Sequence, residues 1–212
     1  PCVARADVPG VSPPRKMTID DLVELADIGR SDPNETPSPF GLSPDNKRVA
    51  FAVRRANAAT NSYCERLLVM PLDASEAPRE LDRGGDFPRD DFRLRDFPSV
   101  VAGWAKVSAP RWSPDGRSIA FLKRMAGSRQ VWLFEDREGG TARQATTMPD
   151  DIDDFAWLPD GKGLVVATRP GIRLAAEEIA REAPRGFLYD KTISPQFSER
   201  PMPMGDIAPQ YT

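Results

Sequence analysis

Few residues of this chain are of types that could carry out chemistry, and the absence of histidine narrows the choice further. Without histidine, neither a Ser-His-Asp nor a Cys-His arrangement can be completed among the 212 residues. No GxSxG nucleophile motif occurs in the chain either. The sequence therefore predicts no catalytic residue here.

Metal and thiol chemistry receive equally little support. The two cysteines, Cys2 and Cys64, lack the spacing of a zinc site and are too few for a disulfide framework. We expect one flexible terminal thiol and one half-buried thiol. The acidic run PDDIDDF at 149–155 lacks the glycine and the distal glutamate of an EF-hand loop, which favours a solvated turn. No metal and no cofactor are predicted.

Two segments dense in Arg, Asn and Tyr are candidates for contact with a substrate. One is 54–66 and the other begins at residue 170, and both are interpreted as inserts that follow the first long strand of a repeated unit. The alternative is that these side chains are solvated loop charges and that the second tyrosine packs structurally. The candidate substrate-binding residues are Arg54, Arg55, Asn57, Asn61, Tyr63, Arg173, Glu177, Glu178 and Tyr189.

The elements that must position these side chains come from a repeat with three copies. The copies are FGLSPDNKRVAFAVRR from Phe40, APRWSPDGRSIAFLKR from Ala109 and DFAWLPDGKGLVVATR from Asp154. Pro, Asp and Gly or Asn in this order are typical of a tight turn. The apolar run that follows has apolar residues of both parities, which indicates a strand buried on both faces. The turn aspartates Asp45, Asp115 and Asp160 lie 70 and 45 residues apart.

A second pair of strands follows the first two copies. RLLVMPLDASEAPRELD at 66–82 matches QVWLFEDREGGTARQAT at 130–146 in its apolar run, its acidic turn and its short polar strand. Four strands in a unit of about 45 residues are typical of a propeller blade. The predicted fold class is all-β, a partial β-propeller of WD40/TolB-like four-stranded blades with a short N-terminal helix and a helical insert.

The predicted boundaries follow from this repeat. We expect an extended arm over 1–16 and a helix over 17–30, whose start is capped by Thr18 with Asp21 three positions later. No hairpin partner is recognised after VVATR, so the chain is expected to stop inside the last insert. The predicted blades cover about 38–82, about 109–150 and, as a start only, 151–169, and the inserts cover 83–108 and 170–212, with a short amphipathic helix over 174–183.

Two blades and the start of a third would leave apolar sheet faces without a neighbour. The sequence therefore predicts that the remainder of the disc lies in the same polypeptide or in an associated chain. The 29 basic and 32 acidic residues offer no basic face for a nucleic acid. No apolar run is long enough to cross a membrane. A start without Met favours a trimmed, periplasmic protein, with a cytoplasmic one as the alternative.

The capped helix MTIDDLVELADIG combined with SPDG-headed blades resembles the prolyl oligopeptidase family of serine peptidases. Within that family the copies of the repeat, and the stretch EAPRGFLYDKTISPQFSERPMP at 182–203, look like the lasso peptide isopeptidases of proteobacteria. The resemblance implies a hydrolase that opens the macrolactam isopeptide bond of a lasso peptide. It also implies a Ser, His and Asp triad in a C-terminal α/β-hydrolase domain, with the propeller gating access and recognising the threaded substrate.

A different class of function stays open at this point. A stand-alone propeller of the TolB kind would continue with further SPDG blades, close its ring and act as a non-catalytic protein-binding scaffold. The enzyme hypothesis is favoured because the capped helix and the interrupted third blade have no explanation in a plain ring.

Overall fold

The three repeats form three separate antiparallel sheets that follow one another along the chain. They are seen in a computed structural model. The residues that this structure describes are 16–23, 25–28, 38–58, 60–86, 89–91, 101–105, 107–136, 140–171, 173–174, 177, 181, 183–186, 193–194, 202–203 and 210–212.

The first sheet contains five strands, in the order β1-β3-β4-β5, with β2 also paired to β3. Its strands are β1 (Ala26–Asp27), β2 (Phe40–Leu42), β3 (Arg48–Asn57), β4 (Ser62–Pro71) and β5 (Arg79–Arg83). A short two-stranded hairpin follows, formed by β6 (Arg89–Asp91) and β7 (Val101–Ala105).

The second sheet has four strands in the order β11-β10-β9-β8, and the third has three in the order β12-β13-β16. The second sheet consists of β8 (Arg111–Trp112), β9 (Ser118–Met125), β10 (Ser128–Glu135) and β11 (Arg143–Gln144). The third consists of β12 (Ile152–Trp157), β13 (Leu164–Thr168) and β16 (Gln210–Tyr211). A further small pair is formed by β14 (Ile193–Ser194) and β15 (Met202–Pro203).

Each of the look-alike turns thus lies in a different sheet, as successive blades of a propeller require. The predicted fold class, an all-β partial propeller, is confirmed. Topologically, β2, β8 and β12 are the first strands of the three blades, and β5 and β11 are the last strands of the first two.

The repeated turns fold through the same local bonds in the first two copies. The Ser43 hydroxyl donates to Asp45 over 2.6 Å and accepts from the backbone N–H of Arg48, and Ser113 does the same for Asp115 and Ser118. The serine hydroxyl is the main reason that the pKa of each turn aspartate lies below its ordinary value. These aspartates are therefore turn-forming residues.

The third copy has Leu158 in place of the serine and keeps only part of this pattern. Asp160 still accepts from the backbone N–H of Lys162 over 3.0 Å, and Gly161 has a φ of 68°. The left-handed conformation at this corner explains why the motif ends in Gly or Asn.

Neighbouring blades pack face to face through the residues that alternate along β3, β4, β9 and β10. Between the first and second sheets the buried cluster includes Ala50, Leu67, Val69, Ile119 and Phe134. Between the second and third sheets it includes Ala120, Leu122, Val131, Ile152, Phe155 and Val166. The middle sheet is apolar on both faces because each face has its own neighbour.

The first strands of adjacent blades approach each other closely. A Cβ added at Gly41 would lie 1.8 Å from the carbonyl oxygen of Pro110, so only glycine fits there. The indole N–H of Trp112 donates to the Gly41 carbonyl over 3.1 Å, and the indole N–H of Trp157 donates to the Arg111 carbonyl over 2.9 Å. In the second and third blades, one tryptophan therefore hydrogen-bonds to the first strand of the preceding blade.

The N-terminal helix is shorter than expected over 17–30. The predicted cap is present, since the Thr18 backbone N–H donates to Asp21 over 2.8 Å and the Asp21 N–H to the Thr18 hydroxyl over 3.3 Å. The helix ends at Val23, and Ala26–Asp27 instead pairs antiparallel with Arg54 and Arg55 of β3. Sheet pairing with a long neighbouring strand replaces the last turns of the helix.

The third blade also differs from the sequence-based expectation, which gave no strand that pairs with β13 on the side away from β12. Gln210 and Tyr211 pair with Thr168 and Ala167, and the backbone of Thr212 exchanges two hydrogen bonds with Val166. The segment beyond β13 is therefore an insertion between the second and third strands of this blade. It returns to the sheet at residue 210, whereas the expected insert ran on to residue 212.

Strand direction determines which connections share an end of the sheets. Four connections start and finish at the same end of the sheets. They are the β3–β4 tip at 58–61, the β9–β10 tip at 126–127, the segment from 84 to 110 and the segment from 169 to 209. We call this end the insertion face. The SPDG-type turns and the connections at 72–78 and 136–142 lie at the opposite end, the turn face.

Candidate functional site: the interblade cleft at the insertion face

A cleft opens at the insertion-face end of the contact between the first two sheets. Its enclosed volume is about 20 Å³, which is room for about one ordered water. The apolar part of its lining includes Ile28, Leu67, Val107 and Phe121. The charged part consists of Arg54, Glu65, Asp82 and Lys123, which we call the first ionic cluster.

Strand alternation places these charges on the buried side. Arg54 and Glu65 are directly paired across β3 and β4, on the same face as the pairs Ala52 with Leu67 and Ala50 with Val69. Arg54 is accordingly only 4% exposed. The apolar contact between the blades therefore ends, toward the insertion face, in two neighbouring charged residues.

The second sheet contributes the opposing charge. Lys123 follows Ile119 and Phe121 at the same parity of β9 and is 4% exposed. Its ammonium lies 2.6 Å from Asp82 of β5 and 4.7 Å from the centre of the Trp132 ring. Arg54 is 3.4 Å from Asp27 of β1. Lys123 is thus held by a carboxylate and an aromatic face.

Glu65 differs from the other members of this cluster. The residue as a whole is half-buried, but its Oε2 atom has no solvent-accessible surface and accepts no hydrogen bond. Burial raises the pKa of Glu65 to about 7, against the opposing effects of Arg54 and Lys123. The cleft therefore contains a carboxyl group that changes its charge near neutral pH.

A second ionic cluster closes the contact between the second and third sheets. Arg129 is 3% exposed, lies 2.6 Å from Asp153 and donates to the carbonyl of Ile152 over 2.6 Å. Asp153 is also 2.6 Å from Arg169. The other members of this second ionic cluster are Arg124 and Asp151, which lie 2.6 Å apart.

Of the sequence-predicted site residues, Arg173 and Glu177 lie beside the second ionic cluster. Arg173 donates to buried Asp150 over 2.5 Å and to Glu177 over 2.8 Å, and both contacts raise the pKa of its guanidinium, the Asp150 contact more. The two side chains are therefore bound to the protein itself. Glu178 and Tyr189 lie outside the described residues.

The other five predicted residues lie on the β3–β4 hairpin. The segment 54–66, expected to be an insert, is instead the continuous end of a ten-residue ladder that runs from Arg48 paired with Pro71 to Asn57 paired with Ser62. A hydrophobic ladder that continues into polar residues leaves no sequence signal for where the loop begins.

These hairpin residues divide between the tip and the two faces of the ladder. Asn57 accepts from the Thr60 backbone N–H over 3.3 Å, and Asn61 has a φ of 47°, so both build the tip. Tyr63, which is 44% exposed, shares the face of Arg54 and Glu65. Arg55 lies on the opposite face, paired with Cys64. The structure thus brings Arg54 and Tyr63 to one side of the hairpin.

The expectation of two free thiols is wrong. Cys64 is disulfide-bonded. The chain has one other cysteine, Cys2, which lies outside the described residues. Two cysteines far apart in sequence carry no spacing signal, so only the fold could reveal the bond.

Sequence reasoning missed Glu65, Asp82 and Lys123. The signal that could have found two of them was the alternation of core-facing and outward-facing residues along a strand. Glu65 has the same orientation in β4 as the buried Leu67 and Val69, and Lys123 has the same orientation in β9 as the buried Phe121. A charged residue at a core position of a strand must be paired or functional.

Two negative observations apply to the part of the chain that the structure describes. No group of three or more His, Cys, Asp or Glu side chains there could hold a metal ion. No helix among those residues is long and apolar enough to span a bilayer.

Comparison with known proteins gives a consistent result. The chain is 35% identical over 200 residues to the lasso peptide isopeptidase AtxE2 of Asticcacaulis excentricus, covering 92% of this chain and 28% of the relative. It is 26% identical over 155 residues to the uncharacterized peptidase YuxL of Bacillus subtilis, covering 73% of this chain and 19% of that protein. No protein-family model matches the chain.

Solved structures of the same relative superpose well. The apo structure of AtxE2 isopeptidase matches with a TM-score of 0.79 at 34% identity, covering 92% of this chain and 30% of that one. A serine-to-alanine variant with Astexin3-dC4 bound matches with a TM-score of 0.79 at 33% identity, covering 94% of this chain and 30% of that one. The chain thus spans less than a third of the length of the relatives that it matches.

Proposed function

Since the chain belongs to the prolyl oligopeptidase family and, within it, to the lasso peptide isopeptidases, we propose that it is the N-terminal propeller part of a serine hydrolase that cleaves the isopeptide bond of lasso peptides. The observation that carries this proposal is the similarity to AtxE2, which extends over 92% of the chain in sequence and in structure. The catalytic triad would be supplied by an α/β-hydrolase domain outside these residues, since the chain contains no histidine.

In this proposal the propeller gates and recognises the threaded peptide. The support is topological, because the polar hairpin tip at 58–61, both long inserts and the interblade cleft lie at the insertion face. Propellers commonly bind ligands at one end of the disc, where the connections between strands vary. The remaining blades would come from the same polypeptide or from an associated chain.

We place the protein in an oxidising compartment, the periplasm. The disulfide at Cys64 supports this, since protein disulfides persist outside the reducing cytoplasm. Mass spectrometry after alkylation without a reductant should leave Cys64 unmodified in protein isolated from its native compartment. Alkylated Cys64 in that sample would contradict the placement.

The direct test uses the full-length protein and Astexin3-dC4, the peptide bound in the relative's structure. Opening of the isopeptide bond adds one water to the peptide mass, and the product becomes a linear chain. Turnover of the threaded peptide supports the proposal. Cleavage of linear peptides with no turnover of the threaded one contradicts the assigned substrate class.

Recognition at the insertion face is tested with a pair of exposed side chains. Tyr63 and Leu72 are 44% and 54% exposed, at the insertion face and the turn face respectively. We expect Tyr63→Ala to lower kcat/KM by about tenfold, as loss of an aromatic contact to a ligand does. Leu72→Ala is the matched control and should leave kcat/KM unchanged. Equal effects of both substitutions would argue against recognition at this face.

A further inference from the structure

The outer face of the first sheet, which points away from the second sheet, contains a buried apolar patch. Strand alternation places Val49, Phe51 and Val53 of β3 on this face, and Leu68 of β4 is paired with Phe51 there. These four side chains are only 7% to 9% exposed, and Met70 packs against them. We call the four residues the outer patch.

A layer outside the described residues must cover the outer patch. The second sheet packs on the opposite face of the first sheet, against Ala50, Leu67 and Val69. Among the residues that the structure describes, the buried cluster of the outer patch contains side chains of β3 and β4 alone. An apolar sheet face is buried when another element packs on it. The cover therefore comes from another part of this chain.

The cover is narrower than a sheet. Phe40 and Leu42 of β2 lie on the same outer face, since they pair with Phe51 and Val49. They are nevertheless 45% and 50% exposed. A neighbouring blade would cover β2 together with β3 and β4, because sheets pack face to face. An exposed β2 beside a buried β3 therefore indicates a cover of the width of one extended segment.

The disulfide at Cys64 identifies that segment. Cys64 lies on the outer face, because it pairs with Arg55, two residues beyond Val53 on β3. The chain contains two cysteines, so the partner of Cys64 is Cys2. The Cα atoms of two disulfide-bonded residues lie about 4.4 to 6.8 Å apart. The disulfide therefore brings Cys2 to the insertion-face end of the outer patch.

The chain that follows Cys2 returns to the same end of the first sheet. Ala26 of β1 pairs with Arg55, so Ala26, Arg55 and Cys64 form one row across three strands. The residues 3–15 between these two points of attachment lie outside the described residues. Their extended length is about 45 Å, whereas the face from Cys64 to Met70 is about 20 Å long. The segment is therefore long enough to run along the outer patch and back.

We propose that the outer patch is the docking site of the N-terminal arm, residues 3–15, which a disulfide between Cys2 and Cys64 fastens to the first blade. Three valines give this arm apolar side chains, and three prolines favour an extended backbone. In a complete disc the arm lies at the seam between the first blade and the closing blade, and β2 is left for that blade. The inference depends neither on the substrate nor on catalytic activity.

Tryptic peptides of the denatured, unreduced full-length protein test the disulfide. Cleavage after Arg5, Arg55 and Arg66 should release the peptide 56–66 linked to the peptide that ends at Arg5, and reduction should separate the two masses. Peptide 56–66 linked to any other cysteine overturns the proposal. So does peptide 56–66 with a free thiol in protein isolated without a reductant.

Limited trypsin digestion of the folded full-length protein tests docking. A docked arm resists cleavage, because the rate follows the population of the undocked form. Cys2→Ser removes the attachment that favours docking, so cleavage after Arg5 should become at least about tenfold faster than in the wild type. An arm that is tethered but not docked would be cut at the same rate in both proteins, and that result overturns the proposal.

A second variant decides the question should Cys2→Ser fail to fold. Val8→Asp keeps the disulfide but places a carboxylate in the apolar contact, so it should also speed cleavage after Arg5 by about tenfold. Leu72→Asp is the matched control, because it adds the same charge at an exposed position of the turn face. It should leave the cleavage rate at the wild-type value. A Val8→Asp protein that is cut no faster than the control overturns the docking of the arm.

Discussion

The two contacts between blades are built alike and end differently. Each is apolar along the middle of the strands and becomes ionic toward the insertion face, through Arg54, Glu65, Asp82 and Lys123 in one contact and Arg129 with its partners in the other. The second ionic cluster satisfies Arg129 with a carboxylate, a carbonyl and a backbone contact to Asp151. In the first ionic cluster, Oε2 of Glu65 accepts no hydrogen bond.

The two ionic clusters should therefore contribute differently to the stability of the fold. In the second ionic cluster each described charge has an oppositely charged partner at 2.6 Å, which helps to order the blades. The first ionic cluster has an acceptor without a hydrogen bond, Glu65 Oε2, and a buried acceptor of this kind lowers stability. Replacing the Glu65 carboxyl by a neutral group and replacing the Arg129 guanidinium by a neutral group should therefore have opposite effects on stability.

The largest effect is expected in the second contact. Arg129→Met removes a buried cation and leaves Asp153 paired only with Arg169, so the free energy of unfolding should fall by about 3 to 5 kcal/mol. Urea denaturation followed by tryptophan fluorescence measures this. Arg143→Met, on the exposed edge strand β11, is the control and should change stability by less than about 0.5 kcal/mol. Comparable losses for both arginines would remove the distinction between the contacts.

The second prediction concerns the pH dependence of the first contact. The pKa of Glu65 is raised from 4.5 to about 7 in the folded protein, so the folded state binds the proton more tightly than the unfolded chain does. Relative to Glu65→Gln, the wild type should lose about 3 kcal/mol of stability as pH rises from about 4.5 to about 7, with no further loss above that.

Parallel urea titrations of the two proteins across this pH range measure the difference. A difference that stays flat with pH would mean that the Glu65 carboxyl is ionised throughout and that the first ionic cluster is as well satisfied as the second.

The third prediction uses the closest approach between the blades. Gly41→Ala would place a methyl group 1.8 Å from the Pro110 carbonyl oxygen, so the first strands of the two blades must separate, at a cost of about 2 kcal/mol. Gly163→Ala is the control, because its Cβ would meet only the end of the Leu158 side chain. A neutral Gly41→Ala would show that the first contact is looser than the second throughout its length.

What could be predicted from the sequence was local. The SPDG turns and the strands after them follow from Pro and Gly conformations and from apolar alternation, and the Thr18 cap from side-chain bonding three residues away. Each of these signals is contained within a few residues. The all-β propeller fold followed because the same local signals recur at a blade-sized spacing.

The parts that failed depend on distant partners. The pairing of Ala26–Asp27 with β3, the return of Gln210–Tyr211 to β13 and the disulfide at Cys64 each join residues far apart in sequence. Glu65 was missed because its role follows from the parity of β4 together with a neighbour on another blade. A scan for charged residues at core parity would have found it.

The smallest expected effect tests whether the two contacts between blades are equally strong along their first strands. Trp112→Phe and Trp157→Phe each remove an indole N–H that donates to the first strand of the preceding blade, at 3.1 Å and 2.9 Å. Each loss should lower the free energy of unfolding by about 1 kcal/mol, the net value of a neutral hydrogen bond. Urea denaturation of the two variants should give values that agree within about 0.5 kcal/mol, since distant sites contribute independently. Markedly unequal losses would mean that the contacts differ along the first strands as well, and the contrast between them could no longer be assigned to the ionic clusters alone.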